Sequence, residues 1–190
     1  MRKSMKIMTL AAALVAAAAL LAGCSGGSGD KVTIGISQFV EHPALDASRE
    51  GFLDALADAG YVDGENIEVD FQNAQADMPT TQTIAQNFVS KKVDLILAIA
   101  TPSAQAAYNA TKDIPIVITA VTDPVAAGIA KSLDASGTNV TGTSDATPMD
   151  QQFEMIKELV PGAKKIGVPY TTSEANSEIQ VKQAKELAGK

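Results

Sequence analysis

Apolar positions along this chain switch repeatedly between two spacings. Val32 to Ser37, Ile67 to Phe71, Asp94 to Ala100 and Ile116 to Val121 are short runs rich in β-branched residues and read as strands. The last two are almost continuously apolar, as expected of central parallel strands covered on both faces. The segments between them carry helical spacing. Asp46 to Gly60 places Phe52, Leu53, Leu56 and Ala59 on one stripe, and Gly60 is a natural C-terminal stop. Pro79 to Ser90 sets Ile84 and Phe88 four apart. Thr101-Pro102-Ser103 predicts a helix start, with Thr101 as N-cap and Pro102 in the first position, running to about Thr111. Further on, a short extended piece is expected around Val140. Thr147-Pro148 opens a helix carrying Phe153, Ile156 and Leu159, which Pro161-Gly162 ends. Lys165 to Val168 reads as another strand, and Ser173 as the cap of a helix carrying Ile179, Ala184 and Leu187.

Strands alternating with helices imply right-handed crossovers and a parallel sheet flanked by helices, the α/β class. In such sheets ligands bind beyond the carboxyl ends of the strands. The residues expected there are small and polar: Gln38 to His42, Thr101 to Ser103, and Thr122 with Asp123. The stretch from Asp134 to Asp145 then turns rich in Gly, Ser, Thr, Asn and Asp. Residues 31–143 are expected to form a first α/β lobe. Thr143 to Thr147 reads as a crossover, and 144–190 as the start of a second lobe, truncated.

The first residues obey a different logic. Arg2, Lys3 and Lys6 precede an apolar run from Met8 to Ala22 that is short for a membrane span, which needs about 20 residues. A basic start, a short apolar core and small residues before a cleavage point describe a secretory signal peptide over residues 1–23. Leu21-Ala22-Gly23-Cys24 matches a lipobox, which makes Cys24 a lipidation site. Cys24 is the one cysteine, so an intramolecular disulfide has no partner. Ser25 to Asp30 has the composition of a flexible tether. Removing Arg2, Lys3 and Lys6 leaves 12 basic against 22 acidic residues. An acidic mature chain without a basic stripe argues against nucleic acid as a partner. The expected location is the outer face of the cell membrane, held by lipid.

Catalytic chemistry finds little support. His42 is the lone histidine, no Cys or Asp/Glu cluster has metal-ligand spacing, and neither a phosphate loop nor a Gly-x-Ser-x-Gly elbow occurs. The expectation is therefore a binding protein with no enzymatic activity, metal or cofactor. Helix N-termini suit an anion such as a carboxylate, and Thr101, Ser103, Thr143 and Ser144 supply hydroxyls beside them. Glu41, Asp123 and Asp145 suit an ammonium group. Together they fit a zwitterionic amino acid. Each residue also has a plainer reading: Thr101 as a cap, Asp123 before Pro124 as a turn residue, His42 before Pro43 as a structural group.

With these residues in place, the chain resembles the ABC transporter substrate-binding lipoproteins of the tryptophan/tyrosine type. The likeness rests on Ile36 to Asp46, Gly51 to Gly64, Asn73 to Asp77, Ala100 to Gln105, Val121 to Pro124, Asn139 to Asp145 and Ser173 to Ser177. It covers essentially all of the chain after the tether. The resemblance implies a periplasmic-binding-protein-like fold with solute held between two lobes, the first complete here and the second only begun. The implied solute is an aromatic or hydrophobic amino acid. The implied partners are an ABC permease and its ATPase subunits. Carried over by position, the ligand-binding residues are Glu41, His42, Thr101, Ser103, Thr122, Asp123, Thr143, Ser144 and Asp145, with Ser173, Glu174 and Asn176 from the second lobe. The alternatives are a sensory lipoprotein of the same fold and, less in keeping with the residues, a periplasmic α/β enzyme.

Overall fold

A computed structural model describes residues 31–189. The expected leader, the expected lipidation site Cys24 and the expected tether lie outside these residues. From Val32 the alternation is strict: β1 (Val32–Gln38), α1 (Pro43–Asp58), β2 (Ile67–Asn73), α2 (Met78–Lys91), β3 (Leu95–Ile99), α3 (Thr101–Ala110) and β4 (Ile116–Val121). A long loop leads to β5 (Val140–Ser144), followed by α4 (Met149–Leu159) and α5 (Ala175–Ala188). The strands form one parallel sheet in the order β2-β1-β3-β4-β5.

Side-chain alternation decides which helix covers which face. Ile34 and Ile36 of β1, with Leu97 and Ile99 of β3, point to the side where Leu45, Phe52, Leu53 and Leu56 of α1 pack. Ile96 and Ala98 of β3, with Ile116 and Ile118 of β4, point the other way, onto Ile84 and Phe88 of α2 and Ala104 and Ala107 of α3. Phe88 is wholly buried. It lies flat against β1 where Gly35 leaves room: a Cβ at Gly35 would stand 2.7 Å from the Phe88 ring. Burying such a ring contributes about 1.5–3 kcal/mol.

Several boundaries differ from the sequence expectation, each for a local reason. Helix α1 begins at Pro43 instead of Asp46, because the His42 ring caps it: Nδ1 accepts the Ala44 N–H at 3.2 Å. Thr101 is not the cap of α3. Ala100 takes that place with φ 79° and ψ 155°, and Thr101 is the first helical residue. The extended piece around Val140 is a full strand that includes Thr143 and Ser144. Gly142 makes this pairing possible, since a Cβ there would stand 2.0 Å from the Ile118 carbonyl oxygen. Lys165 to Val168 forms no strand, because no neighbouring strand among the described residues accepts its backbone hydrogen bonds. Ser173 does not cap α5; Glu174 occupies that position without a side-chain bond.

Candidate ligand-binding site

Helix α1, which leaves β1, lies on one face of the sheet, while α2 and α3, flanking β3, lie on the other. The connections leaving β1 and β3 therefore diverge to opposite faces, and in sheets of this kind ligands bind beyond the carboxyl ends of two such adjacent strands. The residues at that point are small and polar. Ser37, near the end of β1, donates its hydroxyl to Ser103 Oγ of α3 at 3.3 Å, and both residues are buried. Beside them Thr101 is only 2% exposed, and its Oγ1 has no hydrogen-bond partner. A buried hydroxyl without a partner costs about 1–3 kcal/mol, so its persistence asks for an explanation.

The backbone at this point is equally unusual. Ala100 sits at φ 79°, in a region that residues with a Cβ rarely adopt. Holding it there costs on the order of 1–3 kcal/mol. The turn is anchored from behind, where the Ala100 N–H donates to Thr119 O at 3.1 Å and the Ala104 N–H to Ala100 O at 3.1 Å. The consequence is a ten-residue helix whose first turn starts directly at the sheet edge. Its Thr101 and Ser103 N–H groups have no acceptor within the helix, and Pro102 has no N–H to offer. An unpaired hydroxyl, two N–H groups and the positive end of the helix dipole together suit a carboxylate.

The other sequence-predicted residues are placed as follows. Glu41 and His42 lie exposed on the loop after β1, with the His42 ring engaged in capping α1. Thr122 is buried after β4, and its carbonyl accepts from Ser144 Oγ at 2.8 Å. The Asp123 carboxylate accepts the Val125 and Ala126 N–H groups at 3.0 and 2.9 Å, which is the turn role. Thr143 Oγ1 donates to Thr119 Oγ1 at 3.2 Å. Asp145 is exposed, and its N–H donates to Val121 O at 3.3 Å. The parallel topology brings all of these to one edge of the sheet. Ser173, Glu174 and Asn176 make no hydrogen bond to that edge among the described residues, although α5 touches α3 and Asn176 Oδ1 is also buried without a partner.

Sequence reasoning passed over Ser37, and over Arg49, whose Nη1 donates to Gln38 Oε1 at the end of β1 at 3.3 Å. The signal for Ser37 was strand alternation, which points it away from Ile36 and toward α3. Arg49 carried no signal, since an arginine on an amphipathic helix reads as solvated. Two carboxyls titrate below their ordinary range. Asp77 caps α2, and hydrogen bonds from the Thr80 hydroxyl and N–H, at 2.6 and 2.8 Å, favour its charged form. Partial burial pushes the Asp70 carboxyl up, but hydrogen bonds from Lys91 and Gln72 and the Lys91 charge outweigh it, so the net shift is downward. Among the described residues no group of three or more His, Cys, Asp or Glu is placed to hold a metal. No described helix is long and apolar enough to cross a membrane.

Comparison with known proteins adds to this geometry. The profile of a family described as ABC transporter substrate binding protein matches residues 33–190. A tyrosine-binding protein of Clostridioides difficile (strain R20291) is 57% identical over 203 aligned residues, covering 100% of this chain and 59% of that protein. A crystal structure of an ABC domain with L-Trp from Streptococcus pneumonia is 43% identical with a TM-score of 0.79, over 84% of this chain and 54% of that one. A ligand-free, open substrate binding protein with adhesive properties from Clostridium difficile is 64% identical with a TM-score of 0.67, over 83% of this chain and 53% of that one. The chain thus spans about three-fifths of the curated relative's length and about half of the solved ones. The parallel sheet with helices on both faces is the periplasmic-binding-protein-like fold of these neighbours. On the extent of the match and the identity to its relatives, this chain belongs to the ABC transporter substrate binding protein family.

Proposed function

We propose that this chain captures an aromatic or hydrophobic amino acid and delivers it to an ABC permease driven by ATPase subunits. The carrying observation is the buried, unpartnered Thr101 Oγ1 on the first turn of α3. A ligand carboxylate there would satisfy the hydroxyl and the free N–H groups at once, which accounts for an otherwise costly arrangement. Glu41 and Asp145, exposed at the same edge, supply charge for the ammonium group. A tyrosine-binding relative and a neighbour solved with L-Trp support the solute class. Ser173, Glu174 and Asn176 belong, in this reading, to a second lobe that closes over the ligand, and the orphaned Asn176 Oδ1 waits for that closure. Capture involves no bond-breaking: the lone histidine is engaged as a helix cap. Cys24 carries the lipid that holds the receptor at the outer face of the membrane.

Thermal unfolding of the full-length protein against a panel of amino acids and sugars tests the solute. A ligand at about 100 times its dissociation constant adds roughly 2.7 kcal/mol. That raises the melting temperature by several degrees, at about 2–4 °C per kcal/mol. A rise confined to aromatic and branched amino acids is expected; a rise with sugars alone overturns the assignment. Replacing Cys24→Ala is expected to move the protein from the membrane to the soluble fraction on cell fractionation, and continued sedimentation with membranes contradicts the anchor.

A further inference from the structure

Gln38, the last residue of β1, is wholly buried, yet its side chain is polar. Every polar group of its amide is used. Nε2 donates to Val40 O at 2.9 Å and to Asp46 Oδ1 at 2.8 Å, while Oε1 accepts from Arg49 Nη1 at 3.3 Å. Arg49 also lies 3.6 Å from Asp46 Oδ1 and stacks over the Phe71 ring of β2, 4.4 Å from its centroid. One guanidinium thus joins α1, β1 and β2 just beneath the loop that carries Glu41 and His42.

We propose that Arg49 is a positioning residue for the binding edge: through Gln38 and Asp46 it holds the Phe39–His42 loop in its binding-ready form. The proposal rests on the solute-capture reading for its purpose, though not for its geometry. Besides the His42 cap of α1, the loop is tied at three points. The Phe39 N–H donates to Ile99 O at 3.3 Å, Phe39 O accepts the Ala76 N–H at 2.8 Å, and Val40 O accepts Gln38 Nε2. The first two ties are backbone bonds that any sequence could make. The third depends on the orientation of the Gln38 amide, which Asp46 holds at Nε2 and Arg49 holds at Oε1. With the arginine gone, Oε1 is left buried without a donor, and the amide gains by turning away from Val40. Rigidity matters here because a loop that must order on binding weakens affinity. A lysine cannot replace this function. It keeps the charge, but it lacks the planar face that stacks on Phe71 while Nη1 reaches both Gln38 and Asp46.

Hydrogen exchange on the full-length protein, with Arg49→Met and Arg49→Lys, reads the loop directly. Both variants are expected to speed exchange of the Phe39, Ala44 and Ala76 amides, whose hydrogen bonds tie the loop, by about tenfold, the equivalent of losing one charge-assisted hydrogen bond, with β3 and β4 unchanged. Acceleration spread evenly over β3 and β4, or none in the loop, overturns the positioning role. Titration of L-tyrosine and L-tryptophan forms the second arm. A loss of about tenfold in affinity in both variants is expected alongside the local exchange effect. Local exchange without any change in affinity overturns the link to binding. If neither amino acid binds the unaltered protein, the solute reading fails, while the exchange arm still decides what Arg49 does.

Discussion

Two regions with similar hydrophobic patterning behave differently in this molecule. In the sheet region, Val32 to Ser144, the apolar runs at its centre become strands whose side chains enter the core: Ile36, Ile96, Ala98, Ile99 and Ile116 of β1, β3 and β4 are all fully buried. In the region after it, α4 has no buried residue, and Leu159 is 74% exposed. Helix α5 buries only Val181 and Ala184. Between these helices and the segment 166–170 lies an apolar hollow of about 310 Å³ lined by Phe153, Ile156, Val168, Tyr170 and Val181. An apolar pattern states what an element needs to bury, and burial itself depends on a partner being present. The sheet supplies one for its central strands β1, β3 and β4, less so for the outer β2 and β5, and no described strand does so for Lys165 to Val168.

The sharpest break in that comparison comes from truncating one large apolar residue in each region. Phe88→Ala is expected to lower stability by about 3–5 kcal/mol, because a buried ring leaves a cavity against Gly35. Leu159→Ala is expected to change it by less than about 0.5 kcal/mol. Urea unfolding of both variants measures the pair, and equal losses would erase the distinction. Gly35→Ala comes next, at about 1–3 kcal/mol, since the added carbon strikes the Phe88 ring. Replacing Phe88 with a smaller apolar residue in the same chain is expected to recover part of that loss. The smallest effect is electrostatic. Asp70 and Asp77 both titrate below their unfolded values, so the stability they contribute is complete above the ordinary carboxylate range. It is lost as pH falls through their depressed folded values. Asp77→Asn is expected to flatten the acid limb of a stability–pH curve in that window and leave the curve at neutral pH parallel to that of the unaltered protein.

Element order, sheet class and the edge that carries polar loops were legible in the sequence, because strand and helix periods are local and crossovers are right-handed. What escaped was set by three-dimensional neighbours. Thr101 reads as an N-cap from its place before Pro102, yet the cap is Ala100 in a strained conformation that the residue type does not announce. The plainer reading of His42 and Asp123 describes their observed bonds: one caps α1 and the other forms a turn. Val140 to Ser144 reads only as a short extended piece, and its full length as β5 depends on Gly142, which lets it approach the Ile118 backbone. The Gln38–Asp46–Arg49 network joins residues on two elements to Phe71 on a third, and no linear spacing reports such a closure.

The central claim is that the first turn of α3 receives a ligand carboxylate through Thr101. Calorimetric titration of L-tyrosine and L-tryptophan into the full-length protein and its Thr101→Val variant, with thermal unfolding of both in the absence of ligand, tests it most directly. Valine keeps the shape and removes a hydroxyl that has no partner, so unliganded stability is expected to stay equal or rise. Affinity is expected to fall by about tenfold or more, the worth of one hydrogen bond to a charged group. Unchanged affinity in the variant would contradict the claim, as would a loss of unliganded stability, since that would show the hydroxyl serving the fold.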